Sequence, residues 1–271
     1  MIAAGRIVDD GNNSVDVTSD DLTIRAGGHV ALDTMVATYD VSTDAPGDIY
    51  LNEADSIQIE SVHVHDGSII INSVGSIVAD SLTSASDSTG NNIAISNQAG
   101  SIRVGKIDTG NKGALTLFIG GSVTDWQTDA IDIRAGELSV MAAGSVDLDT
   151  QVHSAEITVT KPGEIHLDEY DAITLKSIIT FDGRVNVAAG VNGKDLNQSD
   201  NTKGITVGTI TAGKGGDVTL VAGSIIDEDG DSDTRVSGGS LIVNASGSIS
   251  LDTNVRSLSA TASLGLSLIH I

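Results

Sequence analysis

The sequence predicts an all-β solenoid, with short strands and tight corners wound into stacked coils of roughly 20 residues. Three observations predict it. Apolar and polar residues alternate with period two, as at Ile49, Leu51, Ile57 and Ile59, and no window shows the 3.6-residue spacing of a helix. The stretch Gly47-Asp-Ile-Tyr-Leu-Asn-Glu-Ala-Asp-Ser-Ile-Gln-Ile-Glu-Ser-Val62 returns as Gly163-Glu-Ile-His-Leu-Asp-Glu-Tyr-Asp-Ala-Ile-Thr-Leu-Lys-Ser-Ile178, offset by 116 residues with seven of sixteen positions identical. Phrases of the form Gly-x-Ile/Val-x-apolar begin at Gly47, Gly67, Gly75, Gly100, Gly144, Gly163 and Gly183, many of them about 8 or 20 residues apart. One such turn cannot bury its own apolar face, but stacked turns can.

Taken in order, the chain opens on Met1-Ile-Ala-Ala-Gly-Arg-Ile-Val, which lacks the basic and long apolar regions of a signal peptide. The strand pattern is running by residues 14–24, so the chain reads as a segment of a longer protein. A second motif, Leu22 to Thr34, recurs at Leu138 to Thr150 and at Leu241 to Thr253, each copy ending Leu-Asp-Thr, with offsets of 116 and 103 residues. Super-repeats of about 22–137, 138–240 and 241–266 therefore make one solenoid segment over 1–266. The 13-residue difference between offsets falls between Gly183 and Gly208.

Within each copy, the 47–62 stretch reads as strand, polar Asn-Glu-Ala-Asp corner, strand. Ile49, Leu51, Val146, Leu148, Val218 and Leu220 should stack inward as aliphatic columns, while Asp48, Tyr50, Asp147 and Thr219 face water. Corner glycines let one coil sit close on the next. The same glycines would also suit an antiparallel sandwich. Hairpins, however, favour Asn-Gly or Asp-Gly turns, and most corners here read Ala-Gly-Ser or Pro-Gly-Asp/Glu. Residues 84–92, 192–203 and 227–233 are turn-rich and polar, so they should protrude as loops. Ser267-Leu-Ile-His-Ile271 breaks the pattern and reads as a non-native tail.

Composition narrows the function classes. With Lys plus Arg at 14 and Asp plus Glu at 37, the net charge is −23, which leaves no basic footprint for nucleic acid and would repel an anionic membrane surface. Such a surface suits calcium or a cationic partner as counter-ion. Cysteine is absent, which excludes disulfides and thiol chemistry. No apolar stretch approaches 18 residues, so no membrane-inserted helix is expected. One Trp, three Tyr and two Phe are fewer aromatics than carbohydrate clefts usually use. Gly at 31 with Pro at 2 fits many tight corners between hydrogen-bonded strands.

Gly216-Asp-Val-Thr-Leu-Val-Ala-Gly-Ser-Ile-Ile-Asp227 and Ala143-Gly-Ser-Val-Asp-Leu-Asp-Thr150 resemble the repeats of filamentous-haemagglutinin-like bacterial exoproteins, over roughly residues 14–260. The resemblance implies a right-handed parallel β-helix, export to the cell surface, a role as adhesin shaft and no catalytic residue.

Candidate sites are few. Asp227, Asp229, Asp231 and Asp233 alternate in one acidic loop, and hard oxygens at that density suit calcium. Gly230 comes two places early for a full calcium loop, and no Glu follows at the twelfth position. A solvated acidic turn is the plainer reading. His63 and His65, beside Asp66, could hold zinc from one strand face, but the second copy has Ile179 and Phe181 there. Asn92, Asn97, Asn186 and Asn244 suit polar ladders at coil corners. No nucleophile-elbow or phosphate-loop motif occurs.

The expected function is a non-enzymatic repetitive rod of a bacterial surface or secreted adhesin, extracellular or on the cell surface. Its partners would be glycans or proteins of host or neighbouring cells and the flanking repeats of its own chain. No cofactor is required, with calcium the one candidate. The alternatives are a carbohydrate-active β-helix enzyme (polysaccharide lyase or hydrolase) and a calcium-stabilised surface-layer component.

Overall fold

The computed structural model describes residues 1–126, 131–190, 203–213, 215–228, 233 and 235–270, with side chains to residue 265. Every described strand pairing is parallel, and the strands stack as a β-solenoid with coils of about 20 residues. No helix occurs among the described residues, so none is long and apolar enough to cross a membrane. The chain forms two compact units, one of Met1–Trp126 with Asp132–Ser139, the other of Gln127–Ile131 with Val140–Ile271.

In the first unit each coil contributes three short strand faces. One face stacks residues 30–34 on Ile49–Glu53, Ile69–Ser73, Ile93–Asn97 and Ala114–Ile119. The pairing Val30, Ile49, Ile69, Ile93, Leu115 steps by 19, 20, 24 and 22 residues. These residues, and Leu32, Leu51, Ile71, Ile95 and Leu117 beside them, are buried. A second face stacks Ile57, Ile77, Ile102 and Val123, and a third stacks Ile24, Val41, Val62, Leu82, Ile107 and Ile133. The period-two pattern is thus the code for these columns. Each fully buried Ile or Leu contributes roughly 1.5–3 kcal/mol by leaving water.

The second unit repeats the design. Val146, Ile165, Val185, Val218, Leu241 and Leu258 share one face. Between repeat-equivalent anchors the first copy takes two coil steps, Ile69 to Ile93 to Leu115, where the second takes one, Val185 to Val218. The 13-residue difference in offset is therefore one coil fewer, with a single step of 33 residues. Both copies carry a register break at the same place: Glu60 is bulged opposite Tyr39 and Asp40, and Lys176 opposite Ala155 and Glu156.

Corner glycines are fixed by close approach. A Cβ on Gly183 would collide with the carbonyl oxygen of Gly163, and one on Gly216 with that of Gly183. Gly67 and Gly100 also take positive φ, at 145° and 91°.

The polar Asn-Glu-Ala-Asp corner is corrected in one respect. Asn52 and Glu53 belong to the strand Ile49–Glu53, and Glu53 points inward and is buried. Strand alternation puts residue 53 on the same side as Ile49 and Leu51, and this outweighs its polarity because partners await it.

Candidate functional site

Those partners form a buried polar corner in each unit. The Glu53 carboxylate accepts the Thr34 hydroxyl at 2.9 Å, the Tyr39 hydroxyl at 2.8 Å and the Val36 N–H at 3.2 Å. Thr34 and Tyr39 also touch through their hydroxyls. Burial raises the Tyr39 phenol pKa, so it stays a donor. In the second unit Glu169 accepts the Thr150 hydroxyl at 2.8 Å, the Val152 N–H at 3.0 Å and the Asp171 N–H at 2.8 Å. The position of Tyr39 is taken there by Ala155. Glu169 is 0% exposed, and desolvation pushes its pKa up to about 8 against the pull of those donors. Both Glu side chains are spent on coil geometry.

The first unit's outward surface carries the most organised polar array. On the face of Ile49–Glu53, outward positions run Asp33, Asn52, Asn72, Ser96, Phe118, one per coil. Asn52 Nδ2 donates to Asp33 Oδ1 at 2.7 Å, Asn72 Nδ2 to Asn52 Oδ1 at 2.8 Å, and Ser96 Oγ to Asn72 Oδ1 at 2.7 Å. Asn72 Nδ2 also reaches the Tyr50 hydroxyl at 3.2 Å. This row floors an open groove of about 460 Å³, with Val15 and Val74 among its exposed lining. Phe118, in the same row, is 56% exposed.

Asp33 also closes an acidic cluster. Carboxylate oxygens of Asp9, Asp16 and Asp33 lie within 4.8 Å of one another. The Asp16 N–H donates to Asp33 O at 2.7 Å, and the Asp33 N–H returns to Asp16 Oδ2 at 3.0 Å. The 116-residue offset puts Asp125, Asp132 and Asp149 at these positions in the second copy. A further 103 residues on stand Glu228, Arg235 and Asp252, where a guanidinium replaces the middle carboxylate. The Arg235 N–H donates to Asp252 O at 2.9 Å, the same backbone link as in the first copy.

In the second unit His166 lies between two carboxylates, with Nδ1 3.0 Å from Asp147 Oδ1 and Nε2 3.5 Å from Asp168 Oδ1. Hydrogen bonding to Asp147, then to Asp168, raises its pKa to about 10. His166 and Asp168 edge a cavity of about 150 Å³ that is otherwise lined by Asn186, Val187, Ala188, Thr219 and Val221. Nearby, Lys203 Nζ sits 2.7 Å from Asp171 Oδ1 and lowers the Asp171 pKa.

The residues singled out in the sequence fare differently. Asp227 ends the strand Ser224–Asp227 and is half-buried, Asp233 is exposed, and Asp229 and Asp231 lie outside the described residues. His63 lies on the strand Ile57–Val64, with His65 just past it, and neither enters a three-ligand group among the described residues. The four asparagines do not form amide ladders. Asn97 Oδ1 accepts the Gly120 N–H at 2.8 Å, and Asn92 Oδ1 accepts the Ala114 N–H at 2.9 Å, so both serve backbone at corners. Asn186 lies between His166 and Thr219 in register, and Asn244 is exposed. The real ladder uses Asn52 and Asn72. Sequence reasoning passed over it because Asn52 was assigned to a corner. Its signal was the strand period carried one residue further, and the acidic cluster's signal was the 116-residue offset applied to Asp9, Asp16 and Asp33.

The described elements define a parallel β-solenoid repeat protein. No protein-family model, curated protein or solved structure matches the chain.

Proposed function

We propose that the chain is a non-enzymatic repeat segment of a bacterial surface or secreted adhesin, serving as shaft and as multivalent contact surface. What supports this reading is repetition. Corner, bulge and inward column recur at the same offset in the two copies. Contacts that are weak singly add up when several are engaged together. The test coats beads with the protein at graded density and measures capture by bacterial and host cells. Capture should rise more steeply than linearly with density. Depolymerisation of a polysaccharide by the purified protein would favour the lyase or hydrolase reading instead.

Calcium stabilisation is a second reading, favoured by the convergence of Asp9, Asp16 and Asp33. Millimolar calcium should raise the melting midpoint, and Asp16→Asn should abolish the rise. An unchanged midpoint removes this reading.

A further inference from the structure

We propose that the groove over Asp33, Asn52, Asn72 and Ser96 binds a neutral, linear oligosaccharide lying along the coil stack, with one sugar ring seated on Phe118. The inference rests on the contact-surface reading above and gives it a ligand class.

The row offers one polar rung per coil, at the parallel-strand spacing of about 4.8 Å. That spacing is close to the distance between successive rings of an extended glycan, so each rung can meet one sugar. The rungs mix carboxylate, amide and hydroxyl groups, the set that serves hydroxyls acting as both donor and acceptor. They are pre-set, because each side chain is held by its neighbour at 2.7 or 2.8 Å. Little rotamer freedom is then lost on binding.

Charge and backbone exclude the main competitors. The groove lining holds no Lys, Arg or His, while Asp33 lies in its floor, so sulfated, phosphorylated or uronic chains would be repelled. An added peptide strand needs free backbone groups, and coil-to-coil pairing consumes those of residues 49–53, 69–73 and 93–97 on both sides. The groove's apolar part, Val15 and Val74, gives a sugar's C–H face something to lie against. Phe118 supplies the flat face that aromatic composition alone made improbable. Of the other exposed rings, Tyr170 and Phe181 belong to the second unit, and Trp126 is already covered by Arg103, whose guanidinium carbon lies 3.6 Å from the ring centroid.

The experiment titrates the intact chain with cellopentaose, xylopentaose and chitopentaose, and with an acidic galacturonate pentamer, followed by amide chemical shifts. At least one neutral pentamer should give saturable shifts centred on residues 52, 72, 96 and 118, and the acidic pentamer should give none. Phe118→Ser and Asn72→Ala should each weaken binding at least tenfold. Phe118→Ser alters an exposed side chain, so its melting midpoint should stay put and certify the fold. No shift with any neutral pentamer, shifts centred elsewhere, or equal binding of the acidic pentamer would overturn the proposal. If the beads still capture cells when Phe118→Ser and Asn72→Ala are combined, the glycan assignment fails while the adhesin reading stands.

Discussion

Glu169 makes the chain's stability depend on pH in a direction opposite to that of a carboxylate held ionised by an ion pair. Its ordinary pKa of 4.5 is raised to about 8 in the folded chain. A raised folded pKa means the fold holds a proton that the unfolded chain gives up. The associated stability is fully present below pH 4.5 and is lost as pH rises towards 8. At about 1.36 kcal/mol per pKa unit, this interval corresponds to roughly 3–5 kcal/mol. The protonated form has somewhere to put its hydrogen. Thr150 Oγ1 lies 2.8 Å from Glu169 Oε2, and the Thr150 hydroxyl can turn towards the Asp168 carbonyl at 3.4 Å. Glu169→Gln removes the titration and keeps the shape. Urea denaturation at pH 5.0 and 8.5, taken as the difference between wild type and variant, cancels the background repulsion of a chain with net charge −23. Wild type should lose several kcal/mol more than the variant over that range, and carbon-detected titration should place Glu169 near 8. Parallel pH profiles for the two proteins, or a Glu169 midpoint near 4.5, would refute the reasoning.

Three further outcomes are expected. Gly183→Ala drives a methyl into the Gly163 carbonyl, backbone against backbone, and should cost about 2–4 kcal/mol in urea denaturation; a neutral result would mean the coils can separate locally. Tyr39→Phe removes one of the donors on Glu53 and should cost about 1 kcal/mol by the same measurement, since Thr34 and Val36 keep the carboxylate bonded. His166 should remain an imidazolium at pH 8 by nitrogen chemical shift, and Asp147→Asn should lower its midpoint by at least about one unit.

The solenoid was legible because its physics is periodic. Ile49, Leu51, Val146, Leu148, Val218 and Leu220 all lie in the core, as alternation and repetition required. The buried corner was not legible in the same way. Glu53 and Glu169 are identical between copies, yet polarity argued for a solvated corner. What decides the matter is a Thr one coil earlier, 19 residues back in each copy, and that is a contact between coils rather than between neighbours in sequence. The missing coil was half legible: the offset fell from 116 to 103 residues, but only the pairing of Val185 with Val218 shows that a whole turn was lost. The outward row escaped notice because its members (Asp33, Asn52, Asn72, Ser96, Phe118) are scattered over five strands, and no local window contains two of its rungs.

The row on that face also has a direction. Ser96 gives its hydrogen to Asn72, Asn72 to Asn52, and Asn52 to the anionic end at Asp33. Bond dipoles laid head to tail reinforce one another, as peptide dipoles do along a helix. Removing the Ser96 hydroxyl with Ser96→Ala should therefore be felt as weaker support for a carboxylate three turns away, and electrical information would pass sideways through the wall of the coil stack without any backbone moving.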